Sequence, residues 1–357
     1  MYISHFQVEN FRNLVNQAVP LSAQINLITG DNGAGKTSLL EAIYFLGRQR
    51  SFRTSKPKEL IQQKHHYFRL IAKTTNPNHQ IGLERKIDGQ QLSMQLRIDR
   101  QTQKSPAPLV KIVPTIAITA HSFQLIDAGP APRRAFIDYG TFHFNETFFK
   151  YWQTYQKALK NRNAALKQKM PRSVIDSFTP QLADAGEHIH TIRQDYFTAF
   201  KPLLNRHLAA LNFPFPITIR YAPGWNCQYC LADNLQQHFA SDYRVSHTRL
   251  GPHRADMRFA VLDGNAGNRL SRGQQKTLIL ALHLAQIELI GRYGVATPLL
   301  IFDDIAAEFD ANKRNHALNY LLQLNTQMFF STTEPELFDR HIHHHVALIH
   351  LRQGKIV

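Results

Sequence analysis

GDNGAGKTS, residues 30–38, is the stretch that decides the fold. It fits the pattern G-x-x-x-x-G-K-[ST] of a P-loop, in which backbone N–H groups surround the phosphates of a nucleotide. The preceding segment QINLITG predicts a strand, and the following segment SLLEAIYFLG has the apolar spacing of a helix. Because a P-loop needs this strand and this helix, a chance match in a glycine turn is disfavoured.

The P-loop supplies candidate contacts for a nucleotide and its metal ion. Lys36 can reach the β- and γ-phosphates, the Thr37 hydroxyl can bind Mg²⁺, and the helix N-terminus adds a favourable dipole. We therefore expect ATP and Mg²⁺ as cofactors, and we count Lys36 among the catalytic residues. The loop residues predicted to bind the nucleotide are Gly30, Asp31, Asn32, Gly33, Ala34, Gly35, Lys36, Thr37 and Ser38.

Two aspartates follow the apolar pattern of PLLIFDD, residues 298–304. Such a run predicts a strand buried on both faces, and a P-loop protein needs a carboxylate for Mg²⁺ at the end of a neighbouring strand. Asp303 is predicted to bind Mg²⁺ through water. Asp304 is predicted to act as general base on the attacking water, with help from Glu308. The alternative explanation of the two aspartates is a helix cap or a solvated turn.

A second anion-binding candidate is LSRGQQ, residues 270–275, which opens a long apolar helix pattern with the S-x-x-Q spacing of a capping box. A capped helix alone would explain it. However, a P-loop, an S-x-G-Q helix start and a strand ending in two aspartates, in this order, resemble the ABC-type ATPases. In that group the serine–glycine turn of one subunit closes over the γ-phosphate held by the other. The resemblance implies an ATP-dependent homodimer whose nucleotide site is completed by Ser271, Arg272, Gly273 and Gln274.

Further segments narrow the resemblance. VENFRN, residues 8–13, resembles the opening of the chromosome-maintenance branch of ABC ATPases, and we place its Arg12 and Asn13 among the nucleotide-binding residues. Along nearly the whole chain the sequence resembles the RecF family of recombination mediators. The segments that carry this likeness are RSFRT (50–54), GPAPRRAFIDYGTFH (129–143), YQKALKNRNAALK (155–167) and LGPHRADMRF (250–259).

The resemblance to the RecF family implies a protein that binds DNA at single-strand gaps and duplex junctions. It implies that the protein assists RecA loading together with RecR and RecO, acts in repair, replication and the SOS response, and hydrolyses ATP weakly with stimulation by DNA. The implied fold is α/β, an ABC-type P-loop ATPase head with an inserted helical lobe. The length of the helical segment excludes a long coiled coil.

The spacing of the motifs predicts the domain organisation. Asp303 lies far beyond Lys36, so a segment is inserted between them. Residues 145–211 have helical spacing, with a break or a new helix start expected at Pro202. We predict an ATPase domain made of residues 1–120 and 215–357. Residues 121–214 would form the inserted, mainly helical domain.

Charge favours a polyanionic partner. The chain has 357 residues, with 42 Lys and Arg against 26 Asp and Glu, a formal net charge of +16, although a merely basic protein is the alternative. Residues 48–58 and the helix 157–169, with Lys160, Arg162 and Lys167, are candidate DNA-binding segments, and each could instead be an ordinary solvated face. Neither a targeting segment nor a membrane-length apolar run is present, so we expect a cytoplasmic protein without a membrane partner.

Two other functions are less consistent with the sequence. An ATPase subunit of a membrane transporter would need a switch histidine where this chain has STT (331–333), and HSFQLID (121–127) offers no clear Q-loop residue. A DNA structural protein with a vestigial nucleotide site is disfavoured by the complete P-loop and aspartate pair. AAEFD (306–310) also departs from the S-E-L-D that the RecF family often has.

Two segments contain metal-ligand residue types. Cys227 and Cys230 have zinc-ligand spacing, but no second C-x-x-C exists, so free thiols are favoured over a site completed by a histidine such as His238. The histidine-rich segment 340–351 is better explained as a polar strand or loop edge than as a metal site.

Overall fold

The structure is a computed structural model that describes residues 1–89, 91–261, 264–304, 311–338 and 346–357, without the side chains of residues 311–313 and 337. The strands are β1 (Tyr2–Glu9), β2 (Gln17–Pro20), β3 (Ile25–Thr29), β4 (Tyr67–Thr75), β5 (His79–Asp88), β6 (Gln91–Ile98), β7 (Gln101–Gln103), β8 (Thr115–Ile118), β9 (Thr218–Ala222), β10 (Asp256–Val261), β11 (Gly264–Asn265), β12 (Leu299–Phe302), β13 (Met328–Ser331), β14 (Val346–Arg352) and β15 (Lys355–Ile356).

Helices connect these strands. The α-helices are α1 (Lys36–Arg48), α2 (Ala107–Ile112), α3 (Gln124–Asp127), α4 (Pro130–Phe144), α5 (Phe148–Lys167), α6 (Arg172–Asp176), α7 (Thr179–Ala210), α8 (Leu231–Gln237), α9 (Phe239–Val245), α10 (Ala266–Arg269), α11 (Arg272–Tyr293) and α12 (Ala311–Leu321). Short 3₁₀ turns lie at Pro57–Leu60, Ala120–Phe123, Pro252–Arg254 and Pro335–Phe338.

The chain divides into two compact units, residues 1–122 with 295–357 and residues 123–294. The first unit contains a sheet of order β15-β14-β3-β13-β12-β8, in which β14, β3, β13, β12 and β8 are parallel. Every residue of β3, β12 and β13 is buried, as the apolar run before Asp303 predicts. Parallel strands end at the same edge of a sheet, so the segments after β3, β12 and β13 meet there.

A second, antiparallel sheet of the first unit has the order β2-β1-β4-β5-β6-β7. Alternate residues of β1 and β4 are buried and join the same apolar core as α1. At the centre of this core the Phe68 ring makes edge-to-face contacts with Phe11 and Phe45, at centroid distances of 5.1 and 5.3 Å. Phe11 therefore fixes the segment that carries Arg12 and Asn13.

The second unit consists of helices around the small sheet β11-β10-β9. Its longest helix, α7, has 32 residues and packs against α5 and α11. The break or new helix start predicted at Pro202 is wrong, because α7 continues through this proline to Ala210. Within the described part of the chain, no helix is both long and apolar enough to cross a membrane.

The two compact units differ from the predicted domains. The first boundary, expected at residue 120, lies at 122, but residues 215–294 group with the helical residues and not with the P-loop. The physical reason is packing, since α11 contacts α4 and α7, and β10 contacts α4. The assignment of residues 215–294 to the ATPase domain therefore does not describe the geometric units.

A buried ion pair holds the helices of the second unit together. Arg162 of α5 donates from Nη1 to Asp242 Oδ2 at 2.8 Å and to Thr248 Oγ1 at 2.7 Å. Arg162 and Asp242 are both fully buried. Arg162 therefore cannot make the DNA contact predicted for it, whereas Lys157, Lys160 and Lys167 of the same helix are exposed.

We predict that Arg162→Met lowers the free energy of unfolding by about 3–5 kcal/mol, because it leaves Asp242 buried without its counter-charge. Urea unfolding followed by circular dichroism measures this change. The matched control, Lys160→Met, removes an exposed charge from the same helix and should alter stability by less than about 0.5 kcal/mol. Equal stability of the two variants would contradict the structural role of Arg162.

Candidate functional site

The P-loop runs from the end of β3 to the first residue of α1. Gly30, Gly33 and Gly35 have φ values of 137°, 82° and 110°, which side-chain-bearing residues rarely adopt. A Cβ atom on Gly30 would also lie 2.2 Å from the carbonyl oxygen of Leu351. These glycines let the loop pass close to the neighbouring strand and turn into the helix, as the motif requires.

Lys36 is the charged centre of the loop. Its Nζ donates to the carbonyl oxygens of Gly30 at 2.6 Å and Asp31 at 2.9 Å. Partial burial lowers the pKa of Lys36, and the negative charges of Asp304, Asp303 and Asp31 oppose that effect. The ammonium group is thus placed over the loop, beside the backbone N–H groups at the start of α1, where an anion is favoured.

Asp303 forms hydrogen bonds that link the segments at the ends of three neighbouring strands, β3, β12 and β13. Its Oδ1 accepts hydrogen bonds from Thr37 Oγ1 at 3.0 Å and from Ser331 Oγ at 2.9 Å. Ser331 Oγ also accepts from the backbone N–H of Asp304 at 2.7 Å. Burial raises the pKa of Asp303, against the opposite effect of these two hydroxyl donors. The structure therefore brings together the predicted metal-binding pair, Thr37 and Asp303.

All of these groups face one cleft of about 840 Å³ in the first unit. Asp304, the predicted general base, follows Asp303 in the left-handed region with φ of 59°. Its side chain lines the cleft together with the P-loop and the strand ends. Glu308 and the AAEFD segment lie outside the described residues.

Arg12 and Asn13 both line this cleft, but they have different hydrogen-bond partners. Asn13 Nδ2 donates to the Gly33 carbonyl at 3.2 Å, and Asn13 Oδ1 accepts from Ser38 Oγ at 2.7 Å. Asn13 thus ties the P-loop to the start of α1. Arg12 forms a two-pronged pair with Glu41, with both N–O distances 3.0 Å, and donates to the Glu59 carbonyl. Most of its donors are therefore used within the protein.

Two residues of the site were missed by the sequence analysis. Glu41 is fully buried and pairs with Arg12 and with Arg53, whose Nη1 lies 3.4 Å from Glu41 Oε2. The sequence signal for Glu41 is its position as a carboxylate within the apolar helix pattern SLLEAIYFLG. Ser331, which positions Asp303 and Asp304, ends the apolar segment QMFFS, and in the sequence it stands out only as part of STT, the segment without a switch histidine.

The second predicted anion site lies in the second unit, at the start of α11. Ser271 caps the helix: its Oγ accepts from the Gln274 N–H at 3.3 Å, and Gln274 Oε1 accepts from the Ser271 N–H at 2.8 Å. Arg272 donates to Asp127 Oδ2 at 2.8 Å and lies over the Phe123 ring. Ser271 and Arg272 are exposed, so the helix start faces solvent within this unit.

The metal candidates outside the cleft gain no support. Cys227 Sγ lies 3.5 Å from His190 Nε2, but the described residues contain no group of three His, Cys, Asp or Glu side chains suited to a metal ion. His238 Nδ1 contacts the carbonyl of Asn234 at 2.9 Å, within its own chain segment. Of the histidine-rich segment, residues 346–351 lie in β14, where His350 contacts Thr29.

Comparison with known proteins extends over the whole chain. Residues 2–356 match the family described as RecF/RecN/SMC N terminal domain. A protein called DNA replication and repair protein RecF, from Coxiella burnetii (strain CbuG_Q212), is 37% identical over 357 residues, covering 99% of each chain. The protein of the same name from Hydrogenovibrio crunogenus is 39% identical over 344 residues, 94% of this chain and 93% of the relative.

A solved structure described as the recombination mediator protein RecF-ATP in the RecFOR pathway has the same fold. It superimposes with a TM-score of 0.88 at 25% identity, covering 100% of this chain and 97% of the other. The predicted fold is therefore confirmed: an α/β ABC-type P-loop ATPase head with a helical lobe and, over the described residues, no long coiled coil.

The buried carboxyl of Asp303 leads to a prediction about stability. The pKa of Asp303 is near 3.8 in the unfolded chain and is raised in the folded protein. Above pH 3.8, ionisation of this carboxyl therefore stabilises the unfolded state more than the folded state and lowers the stability of the protein. Asp303→Asn should therefore raise the melting temperature by a few degrees at pH 7, in EDTA without nucleotide. The gain should vanish as the pH falls below 3.8.

Calorimetry of the wild-type and variant proteins across this pH range makes the measurement. Asp195→Asn replaces an exposed carboxylate and serves as the control, with no expected change. A lower melting temperature for Asp303→Asn at pH 7 would show that the hydrogen bonds of this carboxylate outweigh its burial.

Proposed function

The chain belongs to the RecF family of DNA replication and repair proteins, and from this membership and the cleft we propose that it is an ATP-dependent DNA-binding protein of recombinational repair and replication. The observation that carries the proposal is the cleft in which Lys36, Thr37, Asp303 and Asp304 face one another. The name of the similar solved structure, RecF-ATP, supports ATP as the nucleotide.

The roles of the cleft residues follow from their positions. The P-loop N–H groups and Lys36 bind the β- and γ-phosphates of ATP. Thr37 and Asp303 would hold Mg²⁺, because a hydroxyl and a carboxylate 3.0 Å apart are the oxygen ligands that this ion prefers. The ion would neutralise charge on the phosphate oxygens. Asp304 orients and deprotonates the attacking water, and Glu308 is proposed to assist it.

A homodimer explains why a second anion site exists. The N-terminus of the 22-residue helix α11 carries a partial positive charge, and its capping serine is exposed. Arg272 is held beside it by Asp127 and Phe123. We propose that Ser271, Arg272, Gly273 and Gln274 contact the γ-phosphate in the cleft of a second copy, so that ATP binding joins two subunits and hydrolysis releases them.

The DNA transaction is proposed from the family. The ATP-bound dimer binds gapped and single-stranded DNA and duplex junctions, and it assists RecA loading with RecO and RecR during repair and the SOS response in the cytoplasm. The description of the similar structure as part of the RecFOR pathway supports these partners. Hydrolysis that is weak and stimulated by DNA fits a switch whose output is a conformational state.

The transporter alternative is not favoured. The family match covers the chain, and the cleft presents Thr333 in the STT segment where a transporter ATPase would carry its switch histidine. A vestigial nucleotide site is also disfavoured, since Lys36, Thr37, Asp303 and Asp304 all line the cleft. A turnover assay with ATP and gapped DNA separates this last alternative from the proposal.

Two substitutions test the cross-subunit role of the α11 start. Ser271→Arg should leave ATP affinity within about twofold of wild type, because Ser271 and the P-loop belong to different compact units, and it should abolish the ATP-driven increase in molar mass. Lys36→Met should lose both ATP binding and the ATP-driven increase in molar mass, because it removes the phosphate-binding charge. Binding of a fluorescent ATP analogue and light scattering provide the two readouts.

The matched control is Gln236→Arg, which adds the same side chain to the exposed face of α8 in the same unit. It should bind ATP and dimerise as wild type does. If Ser271→Arg still dimerises with ATP, the start of α11 is only a well-capped helix.

A further inference from the structure

A groove on the small sheet of the second unit has no role in the ATP cycle described above. It has a volume of about 640 Å³ and lies along the outer face of β9 and β10. Side chains alternate across this sheet: Ile219 and Phe259 are buried, whereas Arg220 and Arg258 point outward and are exposed. The exposed face, not the core, therefore determines what the groove can bind.

The two arginines oppose each other across the strands. In the antiparallel register Arg258 pairs directly with Arg220, and Ala260 with Thr218. Like charges directly opposite on one sheet face are destabilising, so this pair does not serve the stability of the sheet. Arg258 Nε lies 3.7 Å from Asp256 Oδ2, and Arg220 forms no ion pair within the described ranges.

The carboxylate in the groove is already neutralised. Asp256 accepts from Arg133 Nε at 2.7 Å and Nη2 at 3.2 Å, and its Oδ1 also accepts from the Met257 N–H. Arg133 is fixed in turn by the carbonyls of Leu125 and Ala128. Since Arg133 and Asp256 cancel, the charges of Arg220 and Arg258 are in excess on this face.

The rim of the groove adds a further positive charge. The side chain of exposed Arg269 lies against Gly264, where an added Cβ would be 2.7 Å from its Nε. Thr218 adds an exposed hydroxyl, and Ala260 is a small side chain on the same face of the groove. Guanidinium groups together with small polar residues suit phosphate oxygens, which they bind in two-pronged pairs.

We propose that this groove binds the phosphodiester backbone of DNA through Arg220 and Arg258, with Arg269 at its rim. The proposal rests on the DNA-binding function proposed above and adds where the chain holds the backbone. Among its described residues the groove offers mainly charge and a hydroxyl group, which suit the phosphate backbone, so we expect binding there to be independent of sequence.

The test is the affinity for a gapped DNA duplex over a series of KCl concentrations, with ATP and Mg²⁺, by fluorescence anisotropy. Arg220→Ala/Arg258→Ala should weaken binding about tenfold or more at low salt. It should also reduce the slope of log affinity against log salt by about 1–2, because each lost phosphate contact accounts for about 0.9. Arg220→Lys/Arg258→Lys keeps the charges and should retain most of the wild-type slope.

Two controls separate binding from folding. Arg244→Ala removes an exposed arginine of α9, outside the groove, and should keep the wild-type slope. The double alanine variant should melt no lower than wild type, because it removes a repulsive pair. A fall of several degrees would show instead that the arginines stabilise the sheet, and it would overturn the proposal.

The failures of the two proposals are distinguishable. If wild type binds DNA and the double alanine variant has the same affinity and slope, the groove is not a DNA site, and the general function stands. If wild type shows no salt-dependent DNA binding, the proposed function fails and the groove assignment fails with it.

Discussion

The hydrogen bonds of the Asp303 carboxylate are the constraint on which the nucleotide site depends. One oxygen accepts from Thr37 at the start of α1 and from Ser331 at the end of β13, while Asp303 itself follows β12. Three segments of the parallel sheet are thereby held at one edge, and Ser331 extends the link to the backbone of Asp304. Burial of a carboxylate without partners is unfavourable, and the two hydroxyl donors offset part of that cost.

A second buried carboxylate organises the other side of the cleft. Glu41, inside α1, holds Arg12 from the N-terminal segment and Arg53 from the segment that follows the helix. Asn13 then reaches the P-loop carbonyl of Gly33. The cleft is therefore built from parts distant in sequence that are fixed by charge-assisted hydrogen bonds, and its geometry belongs to the first compact unit alone. The proposed contribution of Ser271 must come from another copy for ATP to act as the link between subunits.

Local signals made much of this predictable from sequence. The P-loop, the aspartates after an apolar strand and the capping box each depend on residues close in the chain, and the structure shows the expected strand, helix starts and cap. The features that the sequence did not predict depend on tertiary contacts between segments that are distant in the chain. Arg162 has the sequence pattern of a solvated basic face, but Asp242, eighty residues away, buries it. The exposed Pro202 does not end α7, and residues 215–294 group with the helices through contacts between segments that are distant in sequence.

In the proposed cycle, ATP held in the cleft joins two copies of the chain, and hydrolysis that depends on Asp304 releases them. The most direct measurement is the molar mass of Asp304→Asn by light scattering, with and without ATP and Mg²⁺, in parallel with phosphate release. We expect the variant to release no phosphate and to remain at twice the monomer mass of 41.0 kDa, whereas wild type returns to monomer as ATP is consumed. A variant that stays monomeric while binding ATP would contradict it.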